Sequence, residues 1–371
     1  MYNIVNSQRS LASLERNKNM IFNRLRIGCF GLSILITQAC AANAGKPTEQ
    51  PEEETVRFAN TEQDHRPSFS TILTIFKRAM FEKRSNIKPD VALVQALEKE
   101  ALAALDDEGL YLIKLGHSSL LLKVYGEYWL IDPVFGERAS PVSFAGPKRF
   151  EPPAISLQDL PAIDKVFLSH NHYDHLDKGS IEFLARRAAL FLVPLGVDQQ
   201  IMDMGVPAQR IQTFNWWDEQ PFAKAKVVFT PTQHFSGRTP WDSNETLWGS
   251  WTLLFAEVKV FFSGDSGYFG GFKEIGEKYG PFDITLMENG AYDKNWPAVH
   301  MFPEQTVQAH IDLQGKVLIP IHNSTFDLAF HPWDEPLNEV RRISQQKGVS
   351  LRLPAFGEIV DLRKPIIADN Q

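Results

Sequence analysis

Residues 169–175 read Ser-His-Asn-His-Tyr-Asp-His, and this stretch decides how the rest of the chain is interpreted. It follows a short apolar run over 166–168, which predicts a buried β-strand. In an extended segment His170 and His172 point to the same side, and Asp174 and His175 follow at the turn into the next helix. Imidazole and carboxylate groups that converge in this way suit a divalent metal ion, zinc above all. A solvated polar loop is the alternative, but three histidines at the end of a buried strand are costly unless something binds there.

The composition limits the class of protein. The chain has 371 residues, of which 43% are hydrophobic and 11% aromatic, so it can build a large packed core. The net charge of −7 argues against broad nucleic-acid binding. The only two cysteines are Cys29 and Cys40, which excludes thiolate zinc sites, cysteine nucleophiles and internal disulfides from the rest of the chain.

Residues 1–44 are predicted to be an export signal. Two arginines precede an apolar run over 27–36, which is too short to cross a bilayer but typical of a signal peptide. Two forms of processing stay open, namely cleavage after Ala44 and lipidation at Cys40, where the sequence resembles a bacterial lipoprotein signal. The sequence therefore predicts a bacterial protein that is exported, either periplasmic or anchored to a membrane as a lipoprotein.

The remaining chain divides into an extension over 45–108 and a main domain over 109–371. The extension is predicted to be a linker followed by helices near 72–80 and over 91–105, because apolar residues recur there at helical spacing. Strands come first in meanders and then alternate with helices, which predicts an α/β fold with two mixed sheets inside and helices outside. Strands are predicted over 110–115, 119–124, 128–131, 166–168, 191–193, 227–230, 252–255, 258–262, 284–287 and 317–320, and helices over 181–189 and 304–313.

Three further polar residues each follow an apolar run that is predicted to be a strand. They are His234, Asp265 and His322. Folds with parallel strands gather their sites at the carboxyl ends of those strands, so these side chains are expected to meet the 169–175 segment. Each one alone could be a hydrogen-bonded loop residue, but the set favours a metal site.

These features resemble the metallo-β-lactamase superfamily, and within it the family of N-acyl-phosphatidylethanolamine-hydrolysing phospholipases D. Matching motifs are spread between residues 116 and 330. The most specific are Gly-Pro-Lys-Arg-Phe at 146–150 and Leu-Trp-Gly-Ser-Trp at 247–251. The resemblance implies that the main domain is a hydrolase with the αβ/βα sandwich fold and two Zn²⁺ ions per chain.

The resemblance also assigns the metal ligands residue by residue. One zinc ion is expected on His170, His172 and His234, the other on Asp174, His175 and His322, with Asp265 bridging the two. Asp174 is counted as catalytic as well as ligating. The implied reaction is attack of a metal-bridging hydroxide on a phosphodiester, which releases phosphatidic acid and an N-acylethanolamine or a related alcohol.

Five other residues receive predictions of their own. His300 lies in a segment that resembles the one carrying the family's phosphate-side histidine, so it is predicted to be catalytic. Asp132 is predicted to orient the metal loop from behind rather than to bind metal. His331 and Glu288 are candidates for substrate contact, and the family's pattern is more apolar where Glu288 stands. His117, at a tight turn, is predicted to be structural.

The expected partners are a phospholipid or another phosphodiester and a membrane surface, without nucleic acid, and a homodimer is left open. Two alternatives to the phospholipase D prediction remain. One is a lactonase or another ester hydrolase of the same superfamily. The other is a periplasmic zinc-binding protein without turnover, which would have no need for an open metal position.

Overall fold

The computed structural model describes residues 57–64 and 67–369. The predicted export signal over 1–44, with both cysteines, lies outside the described residues. Among the described parts of the chain, no helix combines the length and the apolar character needed to cross a bilayer.

The first sheet has seven strands in the order β14-β1-β2-β3-β4-β5-β6. Neighbours from β14 to β3 are antiparallel, and neighbours from β3 to β6 are parallel. The strands are β1 (Leu110–Gly116), β2 (Ser119–Val124), β3 (Glu127–Ile131), β4 (Lys165–Phe167), β5 (Leu190–Pro194), β6 (Ile211–Phe214) and β14 (Ile359–Asp361).

The second sheet also has seven strands, in the order β13-β12-β11-β10-β9-β8-β7. Its strands from β7 to β10 pair antiparallel, and those from β10 to β13 pair parallel. They are β7 (Glu219–Phe222), β8 (Ala225–Thr230), β9 (Ser250–Phe255), β10 (Lys259–Phe262), β11 (Ile284–Glu288), β12 (Val317–Ile321) and β13 (Ser350–Leu351).

Helices cover the outer faces of the two sheets, so that most strands are buried on both sides and read as continuous apolar runs. This arrangement of two mixed sheets with helices outside confirms the predicted fold class. The helices are α1 (Phe69–Phe81), α2 (Lys99–Ala103), α3 (Lys178–Leu184), α4 (Val197–Asp203), α5 (Gly271–Tyr279), α6 (Pro303–Asp312) and α7 (Glu335–Lys347).

Aromatic side chains fill the space between the sheets. Trp251 of β9 is fully buried and packs edge-on against Phe167 of β4, with ring centroids 5.1 Å apart. Its indole Nε1 also donates a hydrogen bond of 3.0 Å to the carbonyl of Leu168. Trp251 therefore fixes the end of β4, just before residues 169–175, to the second sheet.

The predicted helix over 91–105 is wrong for most of its length, because only α2 is helical there. The carboxylate of Glu151 accepts hydrogen bonds from the amides of Leu93 and Val94, and the amide of Gln95 donates to the carbonyl of Phe356. These long-range partners take the backbone groups that a helix would need, so the segment is extended. The helices predicted near 72–80 and over 304–313 correspond to α1 and α6.

The described part of the predicted linker packs on the sandwich. In residues 57–64, Phe58 lies against the core between the sheets, and its amide donates to the carbonyl of Asn244. The following helix α1 buries Ile72 and Ile75 against Trp296 and Phe330. The extension is thus held on the rim of the main domain.

We predict that Trp251→Phe lowers the free energy of unfolding by about 2–4 kcal/mol, because it leaves a cavity and an unpaired carbonyl at Leu168. Denaturant unfolding followed by circular dichroism measures this loss. Trp241→Phe is the matched control, since Trp241 is 72% exposed and its replacement should leave stability unchanged. Equal midpoints for both variants would contradict the role given to Trp251.

Candidate metal centre

The seven predicted ligands come together at one rim of the sandwich, where strands β4, β8, β10 and β12 end. The first sheet supplies the 169–175 loop, and the second sheet supplies the other three residues after its strands. All seven side chains are buried: His170, His172, Asp174, His175, His234, Asp265 and His322.

One cluster consists of three imidazoles and a carboxylate. Nε2 of His170 and Nδ1 of His172 are 2.9 Å apart, and Nε2 of His234 is 3.2 Å from the same Nδ1. Oδ2 of Asp265 lies 3.7 Å from His170 Nε2 and 3.8 Å from His234 Nε2. A tetrahedral zinc ion with bonds of about 2.0–2.1 Å separates its ligand atoms by about 3.3 Å, so the four atoms are spaced to surround one ion.

The second cluster lies on the other side of Asp265. Nε2 of His175 is 3.1 Å from Oδ1 of Asp265, and Nε2 of His322 is 3.0 Å from its Oδ2. Oδ2 of Asp174 is 3.2 Å from His322 Nε2. The Asp265 carboxylate therefore faces both clusters, which is the position expected of a bridging ligand.

The hydrogen bonding of the site fits a pair of cations. Nε2 of His175 and Oδ1 of Asp265 are buried and, although 3.1 Å apart, are not aligned for a hydrogen bond with each other or with any other group. Buried polar atoms are rarely left without a partner, and two metal ions would satisfy both of these. Three groups of histidine and carboxylate side chains in this region are close enough to hold a metal ion.

The charges of the first cluster suit metal binding. Burial lowers the pKa of His172 to about 4 and holds the pKa values of His170 and His234 well below the usual range. These imidazoles are therefore neutral and present the lone pairs that a metal ion requires.

In the second cluster the neighbouring carboxylates raise the histidine pKa values more than burial lowers them. Burial would lower the pKa of His322, but Asp265 and Asp174 raise it to about 10, and the same carboxylates raise that of His175 well above its usual value. Burial would raise the pKa values of Asp174 and Asp265, yet the neighbouring histidines hold them well below the usual range. The two carboxylates thus attract positive charge into a buried site, and a metal ion would replace the protons on these histidines.

The outward ring nitrogens of three ligands are fixed by neighbours. Nδ1 of His175 lies 2.7 Å from the carboxylate of Asp132, which also accepts hydrogen bonds from the amide and hydroxyl of Ser169. The Ser169 hydroxyl contacts Nδ1 of His170, and Nδ1 of His234 donates to the carbonyl of Val299. Asp132 makes the contacts expected of a residue that orients the metal loop.

Asn60, in the predicted linker, is a site residue that the sequence did not reveal. Its side-chain amide donates a 2.8 Å hydrogen bond to the carbonyl of His234, and its oxygen accepts one of 3.0 Å from the amide of the same residue. The indole of Trp248 donates to that oxygen as well. Asn60 therefore fixes the backbone of a predicted ligand, and no local pattern could indicate a partner so distant in the sequence.

His117 lies in the second cluster rather than away from the site. Its Nε2 is 3.0 Å from Oδ2 of Asp174, and its ring centroid is 4.1 Å from that of His322. Burial lowers the pKa of His117 to about 3, so the ring is neutral and donates one hydrogen bond to Asp174. The sequence feature that could have indicated this position is the motif formed by Gly116 and His117, which matches the family.

The other sequence candidates lie beside the clusters. The His300 ring is 5.1 Å from that of His234 and 5.3 Å from that of His322, and it is partly exposed. His331 stacks on Tyr292 and lines a cavity that is also lined by His322. Glu288 is fully buried and contacts His300 with its carboxylate, which puts it behind that ring rather than in position to contact a substrate.

Comparisons with known proteins agree with this geometry. Residues 128–323 match the family described as the Beta-lactamase superfamily domain. An uncharacterised protein of Mycobacterium tuberculosis is 42% identical over 255 residues, which is 68% of each chain. The N-acyl-phosphatidylethanolamine-hydrolyzing phospholipase D 1 of Caenorhabditis elegans is 35% identical over 234 residues, covering 60% of this chain and 66% of its own.

A solved structure shares the fold. Igni18, a metallo hydrolase from Ignicoccus hospitalis, has a TM-score of 0.53 at 21% identity, covering 68% of this chain and 97% of its own. The family match over residues 128–323 confirms the sequence resemblance to the superfamily. The chain belongs to the metallo-β-lactamase superfamily and is one of its metal-dependent hydrolases.

Proposed function

We propose that this protein is a two-zinc phosphodiesterase that hydrolyses N-acyl-phosphatidylethanolamine-like phospholipids in the manner of a phospholipase D. The observation that carries the proposal is the pair of ligand clusters that share the Asp265 carboxylate. The similarity to the nematode phospholipase D over 234 residues supports the substrate class.

The chain's residues have distinct tasks in this reaction. The seven ligands would hold the ions, and Asp132 with Ser169 keeps the histidine rings in place. Two zinc ions, when bound, lower the pKa of water and neutralise charge on a phosphoryl oxygen. His300 stands beside both clusters, where its ring can hydrogen-bond the phosphoryl oxygen or protonate the leaving oxygen.

The cavity next to His322 has apolar side chains along part of its lining. Ile87, Phe326, Leu328 and Trp333 line it beside the polar residues Asn323, Ser324 and Asp327. An acyl or alkyl chain that left water for this cavity would gain roughly 0.8 kcal/mol per buried methylene. A substrate that carries a phosphodiester and an apolar group is therefore consistent with both parts of the site.

Exposed apolar side chains of the N-terminal extension support action at a membrane. Phe69 and Phe81 of α1 are 78% and 71% exposed, and Val91 follows at 64%. Exposed lysines lie on the same segment, at Lys77 and Lys83. We propose that this face meets an anionic lipid surface and that the protein acts outside the cytoplasm, as the predicted export signal implies.

We expect about two zinc ions per chain in protein purified without chelators, because seven nitrogen and oxygen ligands converge there. Elemental analysis measures this content. Asp265→Ala should lose metal and activity together, since its carboxylate faces both clusters. Less than one transition metal per chain, or an Asp265→Ala variant that keeps two, would contradict the bridging assignment.

We expect hydrolysis of a phosphodiester lipid that stops on chelation and returns with added zinc. A panel of N-acyl-phosphatidylethanolamine, phosphatidylcholine and lactone substrates on zinc-loaded protein decides the reaction class. Turnover of lactones alone would favour the lactonase alternative. Zinc binding without turnover of any member would favour a zinc-binding protein.

We expect His300→Ala to keep both zinc ions and the fold but to lose roughly 10²–10⁴-fold in turnover of a phosphodiester. The loss should shrink with a nitrophenyl leaving group if His300 protonates the leaving oxygen, because a nitrophenolate needs little protonation. An equal loss on both substrates would indicate that His300 stabilises charge on the phosphoryl oxygen. Full activity on both would show that His300 is structural.

A further inference from the structure

A buried carboxylate stands behind His300. Glu288 is the last residue of β11 and has no exposed surface. Among the described residues it forms no ion pair with a lysine or an arginine, and its charged neighbours are His300 and His322. A carboxylate without a cationic side chain is expensive at the end of a buried strand, so its contacts require an explanation.

Both carboxylate oxygens hold the segment that carries His300. Oε2 lies 3.0 Å from Nδ1 of His300, and Oε1 accepts a hydrogen bond of 2.5 Å from the amide of Met301. Glu288 thus fixes the ring of one residue and the backbone of the next. The same Oε2 is 3.9 Å from Nδ1 of His322, too far for a hydrogen bond.

The contact determines which nitrogen of His300 is available. An ionised carboxylate only accepts hydrogen bonds, so Nδ1 must carry the hydrogen that points to Glu288. Nε2 is then the ring nitrogen left for a ligand. One ring nitrogen of His300 lies within 4.8 Å of ligand atoms of Asp265 and His322, which puts the ring at the rim of both clusters.

We infer that Glu288 is a positioning residue: its carboxylate accepts the Nδ1–H of His300 and fixes the orientation of the ring, so that Nε2 faces the reacting group and, once it also carries a hydrogen, donates it to the phosphoryl or leaving oxygen. This inference rests on the proposed function, in which His300 contacts the phosphoryl or leaving oxygen. Carboxylates that orient a histidine through Nδ1–H serve this purpose in other hydrolytic sites. Glu288 therefore acts on turnover through His300 and not by touching the substrate.

The substitution Glu288→Gln separates this role from a structural one. Glutamine has nearly the same shape, and its oxygen can still accept from the Met301 amide. Its NH₂ group then faces Nδ1 of His300 and can only donate, which leaves Nδ1 without a hydrogen and so disfavours the doubly protonated ring that gives up a proton from Nε2. The fold and the hydrogen bond to the Met301 amide are retained. Only the hydrogen bond at Nδ1 of His300 changes direction, from donating to accepting.

Kinetics on zinc-loaded protein test the pairing. Glu288→Gln should lose about 10–100-fold in kcat with little change in KM, as expected for support of an active-site histidine. The double variant Glu288→Gln/His300→Ala should lose no more than His300→Ala alone, because residues that act as a unit are not additive. Multiplied losses in the double variant, or full activity of Glu288→Gln, would overturn the inference.

Glu219→Gln is the matched control. Glu219 is on β7 of the same sheet, where its carboxylate accepts a hydrogen bond from the hydroxyl of Tyr279 and pairs with Lys226. Its replacement should leave kcat and KM unchanged. Zinc content is measured in parallel for every variant, and loss of an ion from His300→Ala would make His300 a ligand and overturn the inference.

A spectroscopic measurement does not depend on activity. Nitrogen-15 NMR of histidine-labelled, zinc-loaded protein should show a hydrogen on Nδ1 of His300, and Glu288→Gln should leave Nδ1 without one. The His300 signal is assigned by its loss in His300→Ala. If no phosphodiester is hydrolysed, the proposed function fails while this spectrum still decides the pairing. The same ring state in both proteins would overturn the inference.

Discussion

The structure depends on one carboxylate, that of Asp265, at the junction of the two sheets. Its Oδ2 lies near histidines of both clusters and its Oδ1 near His175 of the second, and both clusters are removed from solvent. Gly264 makes this placement possible. It has a φ of 56°, and a Cβ atom there would lie 2.7 Å from the carbonyl oxygen of Gly249 and 2.9 Å from Cβ of Ser169. Only glycine lets β10 turn sharply against the 169–175 loop, so the bridging position requires this close approach.

The candidate metal centre depends on the packing of the two sheets against each other. The first sheet supplies three histidines and Asp174 in a single loop, while the second supplies ligands from three separate strands. Neither sheet alone has a complete set for either ion. Metal binding therefore requires the sheets to dock as Trp251 and its neighbours hold them, and bound ions stabilise that docking in return.

The sequence predicted that these histidines and aspartates would come together, because much of their signal is local. Three histidines and an aspartate in one short segment stand out by themselves, and the central strands are apolar on both faces. Elements whose partners are distant were harder to predict. The segment over 91–105 has helical spacing, yet Glu151 and Phe356 take its backbone groups. Helix α7 was missed because its sequence is mostly polar and buries few side chains.

Large sequence separation between partners also explains which contacts of the site could not be predicted from the sequence. Asn60 pairs with His234 across 174 positions, and Glu288 pairs with His300 across a loop. No sequence pattern around Asn60 marked it as a site residue, because the surrounding region has the composition of a linker. Glu288 was visible as a departure from the family's apolar pattern, which suggested contact with a substrate. Only the fold shows that its carboxylate is turned away from the cavity and toward a ring.

The N-terminal extension is part of the site's architecture and does more than connect it to the predicted export signal. Arg78 pairs with Asp293, and Arg84 makes two hydrogen bonds to Asp327. The ring of Phe330 lies near both guanidinium groups, 4.0 Å from the first and 5.6 Å from the second. These contacts attach the segment around α1 to the two loops that carry His300 and follow His322. Since Ile87 of this segment lines the cavity, the extension forms one wall of the space beside the metal centre.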